Sequence, residues 1–466
     1  MLISFTVTNF RSFHEEQTLS MVANTRIKGH ETHLRPIPQQ DEQVLPTAIF
    51  YGANGAGKSN LTRALMLMQS LVVHGTRAPK GVPRNSFILA PEARTEPTVL
   101  EIRILAGGHL LEYGFKMTDE VILEEWLVRL SGKREEVIFE RSTDEGIVTV
   151  NMPTSKALDK LLGGPKMRAQ AQVGALPNQL FVSTVAKSIP MTEQGPVFQA
   201  LYGWFSRKLR IIFPEAYFAG LPNFFRQNTE FQSFATSFLS NASTGVQTLE
   251  ISSHPLAVPK FLEEQLAQNP SEADNLVAAA FADKLSSPGV ELMPDGSVMG
   301  HFLQTEIGAE DHRAKLPLAE HSDGTRRIAN LLPALFISSL EPNVLVVDEI
   351  DRSLHPLLAR KFIEYFLAGS AGHQSQLILT THDTNLLDLE LFRRDEIWFT
   401  EKNGAGASHL YSLAQFKVRT DLKVDSGYLH GRFGAIPFLG GLDRLFPQPP
   451  TGKAAPKKRA KAAANP

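Results

Sequence analysis

The stretch Gly52-Ala53-Asn54-Gly55-Ala56-Gly57-Lys58-Ser59 leaves this chain few folds to choose from. The apolar run Thr47-Ala48-Ile49-Phe50-Tyr51 precedes it and Asn60-Leu61-Thr62-Arg63-Ala64-Leu65-Met66 follows, which predicts a strand, a glycine-rich turn and a helix. In that context GxxxxGK[ST] is a phosphate loop. Its glycines let successive backbone N–H groups converge on the α- and β-phosphates, and the helix N-terminus adds partial positive charge. Lys58 reaches the β/γ oxygens, Ser59 offers a hydroxyl to Mg²⁺, and Asn60 closes the expected ATP-binding set.

Three later stretches supply what such a loop needs. Val344-Leu345-Val346-Val347 ends in Asp348-Glu349, the pattern of a buried parallel strand presenting two carboxylates at its C-terminal edge. Asp348 is expected in the metal shell near Ser59, and Glu349 is expected to orient or deprotonate the attacking water. Gln376-Leu377-Ile378-Leu379-Thr380 is a second buried strand and ends at Thr381-His382-Asp383. A strand-end histidine is as often structural as functional, but one helix after the carboxylate strand His382 becomes a γ-phosphate sensor. Between them lies Asp351-Arg352-Ser353-Leu354-His355-Pro356, a loop-to-helix junction where His355 reads equally as helix-start packing.

The third stretch is His321-Ser322-Asp323-Gly324-Thr325-Arg326-Arg327. Ser322 is placed as an N-cap, Gly324 allows close backbone approach, and Ile328, Leu331, Leu332, Leu335 and Phe336 follow at helical spacing, with Pro333 predicting a kink. One nucleotide rarely needs two phosphate-binding helix starts. Ser322, Asp323, Gly324 and Thr325 are therefore expected to close over the nucleotide of a second protomer, the plain alternative being an ordinary capped helix.

The rest of the chain frames these motifs. Its 466 residues imply two or three lobes, and 42% hydrophobic with 21% charged residues is ordinary for a globular protein. The net charge of −2 supplies no global field for nucleic acid, and the absence of cysteine excludes disulfides, thiolate metal sites and cysteine nucleophiles. No signal peptide or spanning run is read, so a cytoplasmic location without membrane association is expected. Ile3, Phe5 and Val7 alternate with Ser4, Thr6 and Thr8 as an N-terminal strand, and period-two patterning returns from Thr98 to Val150 with a turn at Ala106-Gly107-Gly108. The expected architecture is an α/β P-loop NTPase: an ABC-type head with a mixed sheet, an inserted antiparallel β-subdomain and a helical lobe. Residues 1–190 form the N-terminal ATPase lobe with that inserted sheet, 191–288 the helical lobe, 289–446 the C-terminal ATPase lobe, and 447–466 a basic disordered tail. Within the helical lobe, Ser271-Glu272-Ala273-Asp274 resembles a capping box.

The order of these motifs resembles the ABC-type ATPases, specifically the branch of the SMC, RecF and OLD ATPases. Asn9-Phe10-Arg11-Ser12-Phe13 resembles the N-terminal element of that branch, which implies Arg11 near the nucleotide. Ser322-Asp323-Gly324-Thr325, Asp348 through Pro356, Thr381-His382-Asp383, Asp395-Glu396-Ile397-Trp398-Phe399 and Gly427 through Pro437 are similar to the RloA-type AAA_15/AAA_21 family. The resemblance implies a D-loop role for Asp351 and a homodimer, or a higher oligomer, that sandwiches two ATP molecules with Mg²⁺. It further implies bacterial anti-phage defence with a separately encoded nuclease or toxin effector and a DNA or phage-protein trigger. A RecF-like or SMC-like DNA-binding ATPase in repair or chromosome maintenance is the alternative. Asp323 departs from the glycine of transporter signatures, no glutamine is assigned to the Gln loop, and Gly431-Arg432-Phe433-Gly434 has no mechanism at this level. The Toprim nuclease of OLD proteins needs a glutamate and an Asp-x-Asp pair; none of that kind follows His382, so nuclease activity in cis is not expected.

Overall fold

Period-two patterning builds the first sheet, and the N-terminal strand joins it. In the computed structural model, which describes residues 1–38, 40–76, 81–132, 134–154, 161, 163–280, 284–309, 312–370, 374–417 and 424–436, seven antiparallel strands line up as β10-β9-β8-β7-β6-β1-β2. They are β1 (Leu2–Thr8), β2 (Gln17–Ser20), β6 (Thr98–Ala106), β7 (His109–Met117), β8 (Ile122–Ser131), β9 (Arg134–Asp144) and β10 (Ile147–Asn151). The sheet is therefore no free insert, because β1 pairs with β6 in the register Phe5↔Ile102. The expected basic tail at 447–466 and Pro437 lie outside the described residues.

Between the strands of that sheet the chain makes a small hairpin, β3 (Arg35–Pro36) with β4 (Gln43–Val44), and then enters β5 (Thr47–Tyr51). β5 is central in a six-stranded mixed sheet ordered β11-β16-β17-β5-β18-β19, built from β11 (Leu209–Ile212), β16 (Val344–Val347), β17 (Gln376–Thr380), β18 (Ile397–Lys402) and β19 (Ser408–Ser412). All neighbours are parallel except β18 and β19. Parallel strands covered on both faces need apolar residues at every position, and β5, β16 and β17 are buried throughout. Alternate residues then serve different cores. Ala48 and Phe50 pack with the seven-stranded sheet and with Leu61, Leu65 and Met68 of helix Lys58–Val73, whereas Ile49 and Tyr51 pack with helices Asp323–Leu340 and Pro356–Gly369. Each such large aliphatic side chain contributes about 1.5–3 kcal/mol on burial.

The stretch from Thr192 to Lys284, expected to be largely helical, departs from that reading. It supplies edge strand β11, a π-helical turn at Trp204–Lys208, and the ten-residue strand β12 (Val246–Pro255) among its helices. β12 pairs with β14 (Val298–Ala309), which also pairs with β13 (Gly289–Leu292) and β15 (His312–Pro317). Its residues are mostly part-exposed and polar, so hydrophobic alternation, the signal for a strand, is weak there. The capping-box reading of Ser271 to Asp274 is also corrected: the Asp274 carboxylate accepts from Asn223 Nδ2 and from the Val290 N–H, tying its helix to β13. Pro333 sits inside an unbroken helix Asp323–Leu340. Among the described residues, no helix is long and apolar enough to cross a membrane.

Candidate nucleotide site

Three parallel strands end side by side, and their ends carry the chemistry. β5 exits into the loop Gly52 to Gly57, β16 into Asp348-Glu349, and β17 into Thr381-His382. The sheet order puts β17 between the other two, so residues hundreds of positions apart become neighbours.

The loop is held from beneath. Gly57 caps helix Lys58–Val73 at φ 117°, and a Cβ there would run into Ser408 Oγ and lie 2.7 Å from Ser12 Oγ. Ser408 Oγ donates to the Ala56 carbonyl, Ser12 Oγ accepts from Asn60 Nδ2 at 2.8 Å, and the Ser408 N–H donates to the Ser12 carbonyl at 2.7 Å. Ser12 and Ser408 are functional supports that local reading missed; Ser12 stood in the quoted Asn9-Phe10-Arg11-Ser12-Phe13 element, and Ser408 carries no local signal. The backbone N–H groups of Gly55, Gly57, Lys58 and Ser59 donate to no described acceptor, leaving a cradle of donors at a helix N-terminus.

Lys58 is buried, and its Nζ donates to the carbonyls of Gly52 (2.7 Å) and Ala53 (3.2 Å). Burial lowers its pKa to about 8 against the opposing pull of Asp351, Asp348 and Glu349. His382 Nδ1 lies 3.4 Å from Lys58 Nζ, and burial followed by the nearby Lys58 charge lowers the His382 pKa, which keeps the ring neutral at pH 7. Ser59 Oγ donates to Asp348 Oδ1 at 3.1 Å, and Thr380 Oγ1 donates to that same oxygen at 2.6 Å. Thr380 also accepts the Glu349 N–H at 2.8 Å and so helps hold Glu349 at φ 51°, a left-handed conformation uncommon for glutamate. The His382 N–H is 3.3 Å from both Asp351 carboxylate oxygens. The structure thus gathers Lys58, Ser59, Asp348, Glu349, Asp351 and His382.

Arg11 and Asn60 share a separate open cleft of about 740 Å³ with Ser12 and residues 84–89. Asn9, at φ 50°, explains why this cleft exists. Its Nδ2 donates to the carbonyls of Ala93 (2.6 Å) and Glu96 (2.8 Å), and its Oδ1 accepts the Phe87 N–H at 3.0 Å, which pins the 85–97 loop against β1. The Arg11 N–H donates to the Asn85 carbonyl at 2.6 Å.

Ser322 to Thr325 lie elsewhere. Ser322 Oγ accepts the Thr325 N–H at 3.3 Å, an N-cap as expected, and Asp323 pairs with Arg326. A Cβ on Gly324 would lie 2.6 Å from the Ser353 carbonyl, so glycine lets this helix start pack on the segment following Glu349. The cleft over it, about 720 Å³, is lined by Ser322–Thr325, residues 241–244, Ser353, His355 and Lys361 and contains no phosphate-loop residue. His355 caps the next helix by accepting the Leu357 N–H at 3.3 Å, which settles its structural reading. Edge strand β11 brings in a residue without any sequence motif: the Asp348 N–H donates to the Ile212 carbonyl at 2.9 Å, and three residues on Glu215 pairs with Arg352 at 2.5 Å.

The profile of one protein family, AAA_21, described as "AAA domain, putative AbiEii toxin, Type IV TA system", matches residues 48–151 and 204–388, more than half of the chain. The chain belongs to the AAA_21 family. It is an ATP-binding P-loop ATPase of the AAA type. The AAA_21 match covers nearly all of β5, the phosphate loop, the helix start at Ser322–Thr325, β16 and β17. No curated protein sequence matches this chain. Among solved structures, the SMC head domain from Thermotoga maritima shares 13% identity at a TM-score of 0.36, over 90% of this chain and 99% of that one. An Smc head bound to the C-winged helix domain of ScpA shares 13% at 0.37, over 88% and 97%. An Smc head with an extended coiled coil, bound to the C-terminal domain of ScpA derived from Pyrococcus furiosus, shares 13% at 0.33, over 88% and 96%.

Proposed function

We propose that this AAA_21 chain hydrolyses ATP at composite sites between two copies of itself, and that its nucleotide state holds or releases a separately encoded effector, a nuclease or toxin, in bacterial defence. The observation that carries the dimer is the placement of Ser322–Thr325 on a cleft that contains no residue of the chain's own phosphate loop. A signature that cannot meet its own nucleotide requires another copy's. The toxin–antitoxin context in the family's description supports the effector reading.

The residues present fit ATP and Mg²⁺. The N–H groups of Gly55, Gly57, Lys58 and Ser59, which have no described acceptor, match phosphate oxygens, which would also replace the Gly52 and Ala53 carbonyls as partners of Lys58. Ser59 Oγ and Asp348 Oδ1 are the oxygens to hold the metal, directly or through water, and the bound Mg²⁺ would supply charge neutralisation at the phosphates. Glu349 accepts the proton of the attacking water, positioned by the left-handed backbone that Thr380 supports. Neutral His382 can donate a hydrogen bond to a γ-phosphate oxygen, and Asp351 orients it through its backbone N–H. Arg11 and Asn60 belong to the ribose-and-base end of the site, since their cleft adjoins the loop at Ser12. Ser322 of a second copy completes the γ-phosphate shell.

Mixing two dead variants tests the composite site. Lys58→Ala and Ser322→Arg should each abolish turnover alone, while their mixture regains part of it, because a mixed dimer retains one intact pairing of loop and signature. A mixture that stays inactive, with a wild type that remains monomeric in ATP yet hydrolyses it, would overturn the proposal.

A further inference from the structure

At the opposite edge of the six-stranded sheet, where parallel strands enter rather than exit, lies a cavity of about 430 Å³. Its walls include the β6–β7 turn at residues 105–108, the end of helix Pro196–Gly203, the π-helical turn Trp204–Lys208, and residues 342–344 leading into β16, with Met1, Pro38 and Gln374 also lining it. We propose that this cavity is a second ligand site, for a small organic anion whose apolar body sits against Leu105, Ala200, Pro342 and Val344 and whose carboxylate or phosphate meets Arg207.

Close approach of backbone builds the site. Gly107 adopts φ 55°, and a Cβ there would lie 2.8 Å from the Ala200 Cβ, so the hairpin turn sits directly on the helix. A Cβ on Gly203 would lie 2.8 Å from an Arg207 terminal nitrogen, so glycine is what allows the guanidinium to fold back over the helix end. Volume and apolar walls are those of a small-molecule site.

The charged side chains that line it, Arg207 and Lys208, are both cations. Trp204 is 3% exposed and contributes its ring to the wall. Arg207 is exposed and makes no ion pair among the described residues. Lys208, at 2.7 Å, and Arg210, at 4.0 Å, share the single carboxylate of Glu341, which leaves the adjoining groove net positive. An acceptor-rich, negatively charged end therefore fits the Arg207 side, and an apolar body fits the rest. A guanidinium binds carboxylate or phosphate through two parallel hydrogen bonds, which makes Arg207 the anchor.

The test is isothermal titration of naphthalene-1-acetate into the nucleotide-free full-length protein, with neutral naphthalene-1-ethanol as its partner probe. The acetate should bind one site per chain, roughly tenfold or more tighter than the alcohol. Arg207→Glu, at an exposed position that leaves folding intact, should weaken the acetate by roughly tenfold or more and leave the alcohol unchanged. Lys58→Ala should change neither probe. Absence of saturable acetate binding, equal affinity for both probes, or loss of binding in Lys58→Ala but not in Arg207→Glu would each overturn the proposal, the last by assigning the probe to the phosphate loop.

Discussion

Two helix starts in this chain are candidates for a phosphate, and they are finished differently. At Lys58 the helix start is capped by a left-handed glycine, its first N–H groups have no described partner, and the lysine is folded onto its own loop. At Asp323 the start is already capped by Ser322, Asp323 is paired with Arg326, and the surface opens onto a broad cleft. The first is a cradle of donors without described acceptors. The second is a satisfied helix start that can offer an arriving phosphate a hydroxyl and a partial charge but no nest of free donors. On the proposed reading the first end binds nucleotide alone, and the second adds to nucleotide already bound.

The largest expected break in this comparison comes from the side that holds the chemistry. Glu349→Gln keeps the shape of the strand end but removes the base, so turnover should fall about 10²–10⁴-fold. ATP binding should persist, because Lys58 and Ser59 are untouched, and the ATP-bound dimer should accumulate. Turnover measured beside sizing chromatography checks this; a normal rate would remove Glu349 from the role. The next effect is in stability. Thr380→Val leaves Asp348 Oδ1 without a 2.6 Å donor in a buried setting and the Glu349 N–H without its acceptor in a part-buried one. Denaturant unfolding should show a loss of about 1–3 kcal/mol, together with reduced turnover because Glu349 loses part of what holds its left-handed backbone.

These two targets also mark how much the sequence disclosed. Lys58, Ser59, Asp348, Glu349 and His382 were legible because each motif is short and each sits beside an apolar run whose burial could be anticipated. Thr380 was not legible as a support: its hydroxyl matters only because β17 pairs with β16, a partnership more than thirty residues apart. Ser12 and Ser408 were hidden for the same reason, and β12 because a part-exposed polar strand carries no hydrophobic period. The late motif gains a physical account only from packing. Phe433 stacks on Phe399 with ring centroids 5.9 Å apart, the Tyr411 hydroxyl donates to the Phe433 carbonyl at 2.8 Å, and a Cβ on Gly434 would lie 2.7 Å from both Tyr411 Oη and a Glu401 oxygen. Gly434 at φ 71° lets this aromatic plug seat on β18 and β19, and the turn leaves Arg432 exposed.

A smaller effect sharpens the contrast through pH. Burial lowers the Lys58 pKa to about 8 against the pull of Asp351, Asp348 and Glu349, and a bound phosphate would raise it. The bound state then holds the proton more tightly than the free state. Affinity is therefore complete below pH 8 and falls as pH rises through the free-state value, by at most about tenfold per unit until the bound-state pKa is reached. Binding at pH 9 should take up protons, and calorimetry in two buffers of different ionisation enthalpy reads that uptake directly. Lys58→Arg, which stays charged, should flatten the profile even if it binds more weakly.

The smallest effect decides the signature. Ser322→Ala removes the acceptor of the Thr325 N–H and should cost about 1 kcal/mol of stability. A merely structural cap and a trans-acting serine both predict that loss, so the alanine alone cannot separate them. Ser322→Asp can. Aspartate caps helices as well as serine does and favours the positive helix start, so stability should be retained or slightly raised. Its carboxylate would nevertheless stand where a second copy's γ-phosphate is to arrive, and like charges repel there. Dimerisation in ATP and turnover should then fall while ATP binding to each chain's own loop stays normal. A stable Ser322→Asp protein with wild-type turnover would reduce this helix start to an ordinary cap and leave the phosphate loop as the chain's one nucleotide-binding helix start among the described residues.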